Sequence, residues 1–167
     1  MPDSRVDAMM EEQNARLFCA VGRVSVAWTR FESYLSETVR MLAGVDNELG
    51  ECITAQIASF DRMLGALSAL SEMRCPGTAN ESSFMARLHR IQSLADRRNR
   101  VVNDLWTFDP GITNRWPATA MRTRQQGPVP TTTSEVEALA LEIENFSEVF
   151  LDFRREFLIS LNLWAGQ

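Results

Sequence analysis

The chain has 167 residues, 17 of them basic and 22 acidic, with a single histidine and a formal charge of −5. All 17 basic residues are arginine, which excludes Schiff-base chemistry and the phosphate lysine of a P-loop; His89 alone cannot assemble a multi-histidine metal centre. The acidic total excludes a uniformly basic nucleic-acid binder, and 45% hydrophobic with 23% charged residues is the composition of an ordered globular domain, read as one unit over residues 1–167.

The start, Met1-Pro2-Asp3-Ser4-Arg5, lacks the apolar core of a secretory signal. Leu17 to Trp28 is the most apolar early stretch, but it carries Arg23 and is too short to span a bilayer, so no membrane partner is expected. Cys19, Cys52 and Cys75 are odd in number and have no CxxC spacing, which points to reduced, core-packed thiols, a cytoplasmic location and no zinc site.

The first predicted helix runs from about Asp3 to Ala43. Phe18, Val21, Val24, Trp28, Phe31, Leu35, Val39 and Leu42 form one apolar stripe, and Gly44 is placed to end it in the left-handed conformation. Forty residues span roughly 60 Å, more than a compact domain needs, so the N-terminal turns are expected to overhang or to pack on another molecule. A second helix is predicted over Leu49–Met73, with Ile53, Ile57, Phe60, Leu64, Leu67 and Leu70 inward and Cys75-Pro76-Gly77 as its stop. Thr78 and Glu81 form a capping box for a third helix reaching about Trp106, followed by the turn Asp109-Pro110-Gly111.

Residues 107–133 lack a helical period and hold four prolines; an irregular loop is expected there, with a short hairpin from Trp116 to Arg124. Ser134 and Glu137 read as a second capping box, opening a last helix to about Leu163 with Val136, Leu139, Ile143, Phe146, Phe150, Phe153, Phe157 and Leu161 as its stripe. The fold class is therefore all-α: an antiparallel four-to-five-helix bundle with a long first helix and an irregular excursion before the last.

The third helix carries the informative residues. Its apolar row is Phe84, Leu88, Ile91, Ala95, then Arg98, then Val102 and Leu105. A charge on an apolar face is costly unless paired or facing a cleft. Two readings stay open: Arg98 meets a carboxylate such as Glu32 on the first helix, or Arg98 and Asn99 line a polar cleft that binds phosphate. A second row, His89, Ser93, Asp96, Arg100 and Asn103, is wholly polar. Residues 82–134 hold eight arginines against three aspartates, so the acidic total hides one basic region, and arginine suits bidentate phosphate contacts.

The run Arg98-Asn99-Arg100-Val101-Val102-Asn103-Asp104-Leu105-Trp106 resembles the signature of HEPN-like proteins, helical bundles whose late helix carries an arginine, a polar residue and, four to six positions after the arginine, a histidine. Val21-Gly22-Arg23, Ala27-Trp28-Thr29-Arg30-Phe31-Glu32 and the segment around Thr54-Ala55 resemble small bacterial members of that group. The resemblance implies a two-fold dimer and metal-independent RNA cleavage, but in this chain the histidine position is Asn103. An amide has no titratable proton near neutrality, and losing a general acid or base typically costs about 10²–10⁴-fold in rate. His89 lies 14 positions earlier on the same helix, roughly 21 Å along the axis. The expectation is a non-catalytic homodimeric module that binds RNA, a nucleotide or a partner protein through Arg98, Asn99, Asn103, Arg100 and Arg97, with no metal or cofactor, in the defence or toxin–antitoxin setting of the family. A ribonuclease working through Arg98 and Asn99, and a dimerising bundle with no ligand, are the alternatives.

Other constellations fail on spacing. A di-iron bundle needs Glu-x-x-His twice, and the residue three before His89 is Ala86. Glu144 and Glu148, one turn apart, read as a solvated face, and Trp106 and Trp116 as anchors for the excursion between them.

Overall fold

The computed structural model describes residues 4–109, 112–117 and 127–164. The described residues are mostly helical, with five helices and one small sheet, the all-α class expected. The elements are α1 (Ser4–Ala43), α2 (Asn47–Thr54), α3 (Phe60–Arg74), α4 (Ala79–Asn103), β1 (Leu105–Asp109), β2 (Ile112–Trp116), β3 (Val129–Pro130) and α5 (Thr133–Ser160). The chain divides into two compact units, Met1–Trp28 with Ala95–Glu144, and Thr29–Leu94 with Asn145–Gln167.

The second of these units is helical. Phe31, Leu35 and Leu42 of α1, Leu67 of α3, Phe84, Ile91 and Leu94 of α4, and Phe150 and Leu158 of α5 are its fully buried side chains. Phe31 meets Phe146 and Phe150 edge-on at 5.8 and 5.5 Å, and Phe84 stacks on Phe157 at 4.7 Å, both favoured aromatic geometries. Gly44 ends α1 at φ +71, and its amide donates to the carbonyls of Arg40 and Met41. The predicted second helix is in fact two. Ser59 accepts a hydrogen bond from the Arg62 amide and caps a new helix, while the Thr54 hydroxyl bonds back to the Gly50 carbonyl at the end of α2. Ile53 is consequently 43% exposed rather than inward. Thr78 and Glu81 do cap α4: the Glu81 amide donates to Thr78 Oγ1, and the Glu81 carboxylate accepts from the Gly77 amide.

The first unit joins the N-terminal part of α1, the last turns of α4, the sheet and the start of α5 around Leu17, Val24, Trp28, Val101, Val136, Leu139 and Ile143. Phe18 is 60% exposed, because the buried row passes through Leu17 instead; its ring meets Phe108 of β1 edge-on at 5.8 Å. The loop expected over 107–133 contains a sheet of order β1-β2-β3, all pairs antiparallel. Leu105 pairs with Trp116 and Asp109 with Ile112, so the hairpin lies upstream of the one expected at 116–124; residues 118–126 lie outside the described residues. α4 stops at Asn103, three residues earlier than predicted, because the Trp106 indole turns back and donates to the Val101 carbonyl at 2.9 Å. Leu105, expected on the apolar row, is therefore a strand residue and 47% exposed.

The capping box of α5 is Thr132 with Glu135 rather than Ser134 with Glu137. The Glu135 amide donates to Thr132 Oγ1, and the Glu135 carboxylate accepts from the Thr132 amide and hydroxyl. At its other end α5 closes at Ser160, with Asn162 left-handed at φ 56 and the Leu163 amide on the Leu158 carbonyl.

Candidate functional site

The last two turns of α4 display the sequence motif on three faces. Asn99 and Asn103, four residues apart, are exposed together, as are Asp96 and His89 on the polar row. Arg98 is half-buried, and its Nη1 donates to Asn99 Oδ1 at 3.0 Å. Its buried Nε has no partner among the described residues. Glu32, its candidate carboxylate, is half-buried and belongs to the other unit.

A charge on the buried row is nevertheless present, at a position the sequence reading passed over. Arg154 is 6% exposed on α5, and its Nη1 donates to Glu37 Oε2 at 2.6 Å and to the Tyr34 carbonyl at 3.4 Å. The signal was available: Arg154 falls four residues after Phe150 and three before Phe157, on the stripe itself.

The third face of α4, with Arg97, Arg100 and Val101, lines a cleft of about 370 Å³ with Arg115 of β2, Val129 and Pro130 of β3, and Glu135 and Ala138 of α5. Arg98, Asn99 and Asn103 are not among its lining residues. Arg97 pairs with Glu142 at 2.5 Å. Arg115 pairs with Asp104 at 2.5 Å, their side chains only 13% and 7% exposed, and its Nε is a second buried donor without a partner among the described residues. The Arg100 carbonyl accepts from the Asp104 amide, while the exposed Arg100 guanidinium makes no ion pair or hydrogen bond among the described residues. The basic region is thus less basic than its composition, since two of its arginines are matched by carboxylates; Arg122 and Arg124 lie outside the described residues. Glu135 is held below the ordinary carboxylate range, first by the hydrogen bonds from Thr132 and then by the charge of Arg115.

No family model, curated protein or solved structure matches the chain. Among the described residues no cluster of histidine, cysteine or carboxylate side chains is arranged to hold a metal ion, and no helix is long and apolar enough to cross a membrane. Cys75 is buried as expected of a packing thiol, but Cys19 and Cys52 are exposed, because both fall on the outward rows of their helices.

Glu144 is not a solvated bystander. Arg23 grips it with two parallel hydrogen bonds, Nε to Oε1 at 2.8 Å and Nη2 to Oε2 at 2.5 Å. These bonds, opposed by a smaller desolvation cost, hold the Glu144 carboxyl below its ordinary value, and they raise Arg23. A depressed folded-state value means the pair contributes stability above the unfolded carboxylate range and loses it as pH falls through the folded value. In thermal unfolding followed from neutral pH down to about pH 3, the wild type should lose more of its Tm than Glu144→Gln, whose titration there is removed. Equal slopes would show that the pair forms no better in the folded protein than in the unfolded chain.

Proposed function

We propose that the protein is a non-catalytic, HEPN-like binding module, working as a homodimer, that grips RNA phosphate with Arg98, Asn99, Arg100 and Asn103 at the end of α4. The observation that supports this reading is the Arg98–Asn99 bond: a half-buried guanidinium is fixed by a neighbouring amide, with no carboxylate partner among the described residues to neutralise it. A guanidinium held this way keeps donors for a phosphate and pays little entropy to use them. Around it stand amides and a further arginine, none of which exchanges a proton near neutrality, so the set binds and does not act as a general acid or base.

The test is an RNA binding and cleavage assay on the wild type, Arg98→Ala and Asn103→His, with oligomeric state measured by sedimentation. Wild-type protein should bind single-stranded RNA with an affinity that falls as salt rises, and should not cut it. Arg98→Ala should weaken binding by about tenfold or more, the size of a lost charge-assisted hydrogen bond. Asn103→His should gain cleavage if the amide is all that separates this site from a nuclease. Cleavage by the wild type that Arg98→Ala abolishes would overturn the reading in favour of an active ribonuclease, and absence of RNA binding would leave a bundle without this ligand.

A further inference from the structure

Helix α2 and the turn after it carry an apolar row that the fold leaves open. Leu49, Ile53, Ile57 and Phe60 step by fours and a three, the spacing of a row that is ordinarily buried. Yet Leu49 is 51% and Ile53 43% exposed, Cys52 beside them is exposed, and Ile57 and Phe60 are half-buried. What α2 turns inward is Gly50, its buried residue. Gly50 lies so close to the Arg40 side chain of α1 that a Cβ there would come within 2.5 Å of its Cγ and Cδ. Arg40 also holds α2 on either side of that glycine: its Nη1 donates to Asn47 Oδ1 at 3.3 Å and stands 3.9 Å from Glu51 Oε1. α2 is thus seated on α1 by an arginine and its polar contacts, and its apolar side chains are left facing water. Single exposed apolar residues are ordinary, but a contiguous row of them marks a surface that another molecule covers.

The charge around this row has one sign, and that sign selects the occupant. Residues 45–61 hold Asp46, Glu48, Glu51 and Asp61 and no arginine. Glu51 faces Arg40, and Asp46 accepts from the Leu49 amide at 2.8 Å to start the helix, while Glu48 and Asp61 are exposed. Such a rim repels nucleic acid and anionic lipid, and attracts lysine and arginine. We infer that this corner is the docking surface for a basic amphipathic segment of a partner protein: the segment's apolar face lies on Leu49 and Ile53, and its cations face Glu48 and Asp46. An apolar face anchored at positions three or four apart is the usual way a helix sits on such a surface, and the surrounding charges set its specificity and its rate of association. The inference is independent of the RNA reading, since it uses none of the arginines or amides of α4 and a surface of the opposite charge.

The experiment is a fluorescence anisotropy titration of the full chain with labelled helical peptides. One is built of leucine and lysine with its leucines on one face, one has the same residues scrambled to remove that face, and one is patterned like the first with glutamate in place of lysine. The patterned lysine peptide should bind the wild type about tenfold or more tightly than either of the others, and its affinity should fall as salt rises. The double variant Leu49→Ser with Ile53→Ser should weaken it by about tenfold or more, the size of lost apolar anchors. Glu48→Arg should weaken the lysine peptide and strengthen the glutamate one, whereas Leu141→Ser, an exposed apolar residue of α5, should change neither. All of these positions are exposed, so the core is undisturbed, and circular dichroism checks that each variant is folded. Failure of the patterned lysine peptide to bind the wild type overturns the inference. So does equal binding of the glutamate peptide, which removes charge from the account, and so does unchanged affinity in the double variant, which moves the contact off α2. Sedimentation decides between partners: a wild-type dimer that the double variant dissociates makes the occupant a second copy of this chain and overturns the assignment to a different protein.

Discussion

Asp104→Ala is expected to cost roughly 3–5 kcal/mol of stability, the usual penalty for stranding one member of a buried ion pair. Asp104 and Arg115 are 7% and 13% exposed, and the bond between them fixes β2 to the residue that ends α4. Without the carboxylate, the Arg115 guanidinium keeps its desolvation cost and loses its counter-charge, while its Nε already lacks a partner among the described residues. For a chain of this length each kcal/mol corresponds to roughly 2–4 °C of Tm, so the loss is easily read by thermal unfolding. The double variant Asp104→Ala with Arg115→Met should recover part of it, because an apolar side chain of similar length carries no uncompensated charge. A single variant as stable as the wild type would show that water reaches the pair and that the hairpin is held by its strand ladder alone.

Phe31→Ala should be comparably damaging, at roughly 3–5 kcal/mol from lost burial and the cavity left behind. Phe31 is fully buried and sits edge-on to two rings, Phe146 at 5.8 Å and Phe150 at 5.5 Å. Each such contact adds about 0.5–1.5 kcal/mol beyond the area it buries. Denaturant unfolding of Phe31→Ala, Phe31→Leu and the wild type should rank them in that order of increasing stability. Phe31→Leu as damaging as alanine would mean that ring geometry, not volume, dominates this part of the core.

The helical class, the ends of α1 and the capping box of α4 were all legible in the chain, because each rests on interactions within a few residues. An apolar residue every three or four positions, a glycine at φ +71 and a Thr78–Glu81 pair need no distant partner to take effect. Errors arose where a local pattern had two continuations. Ile53 to Phe60 keeps a helical apolar spacing, yet Ser59 starts a new helix there. Trp106 continues the spacing of α4, yet its indole bonds to the Val101 carbonyl and closes that helix.

The arginine arrangement shows the same division. Sequence alone located the basic segment and the Arg98–Asn99 pair, and it named Arg97 and Arg100 as candidate contacts. It did not show that Arg97 meets Glu142, 45 residues away, or that Arg115 meets Asp104 across the hairpin. Nor did it show that Arg154, rather than Arg98, is the arginine sunk in a helical core beside a carboxylate of α1. Composition counts charges, but a charge is available to a ligand only if no carboxylate already faces it, and that depends on contacts between residues far apart in the chain. The sequence by itself determined where the helices run and where the arginines concentrate. Tertiary packing decided which of those arginines are neutralised and which, Arg100 first among them, are left to act.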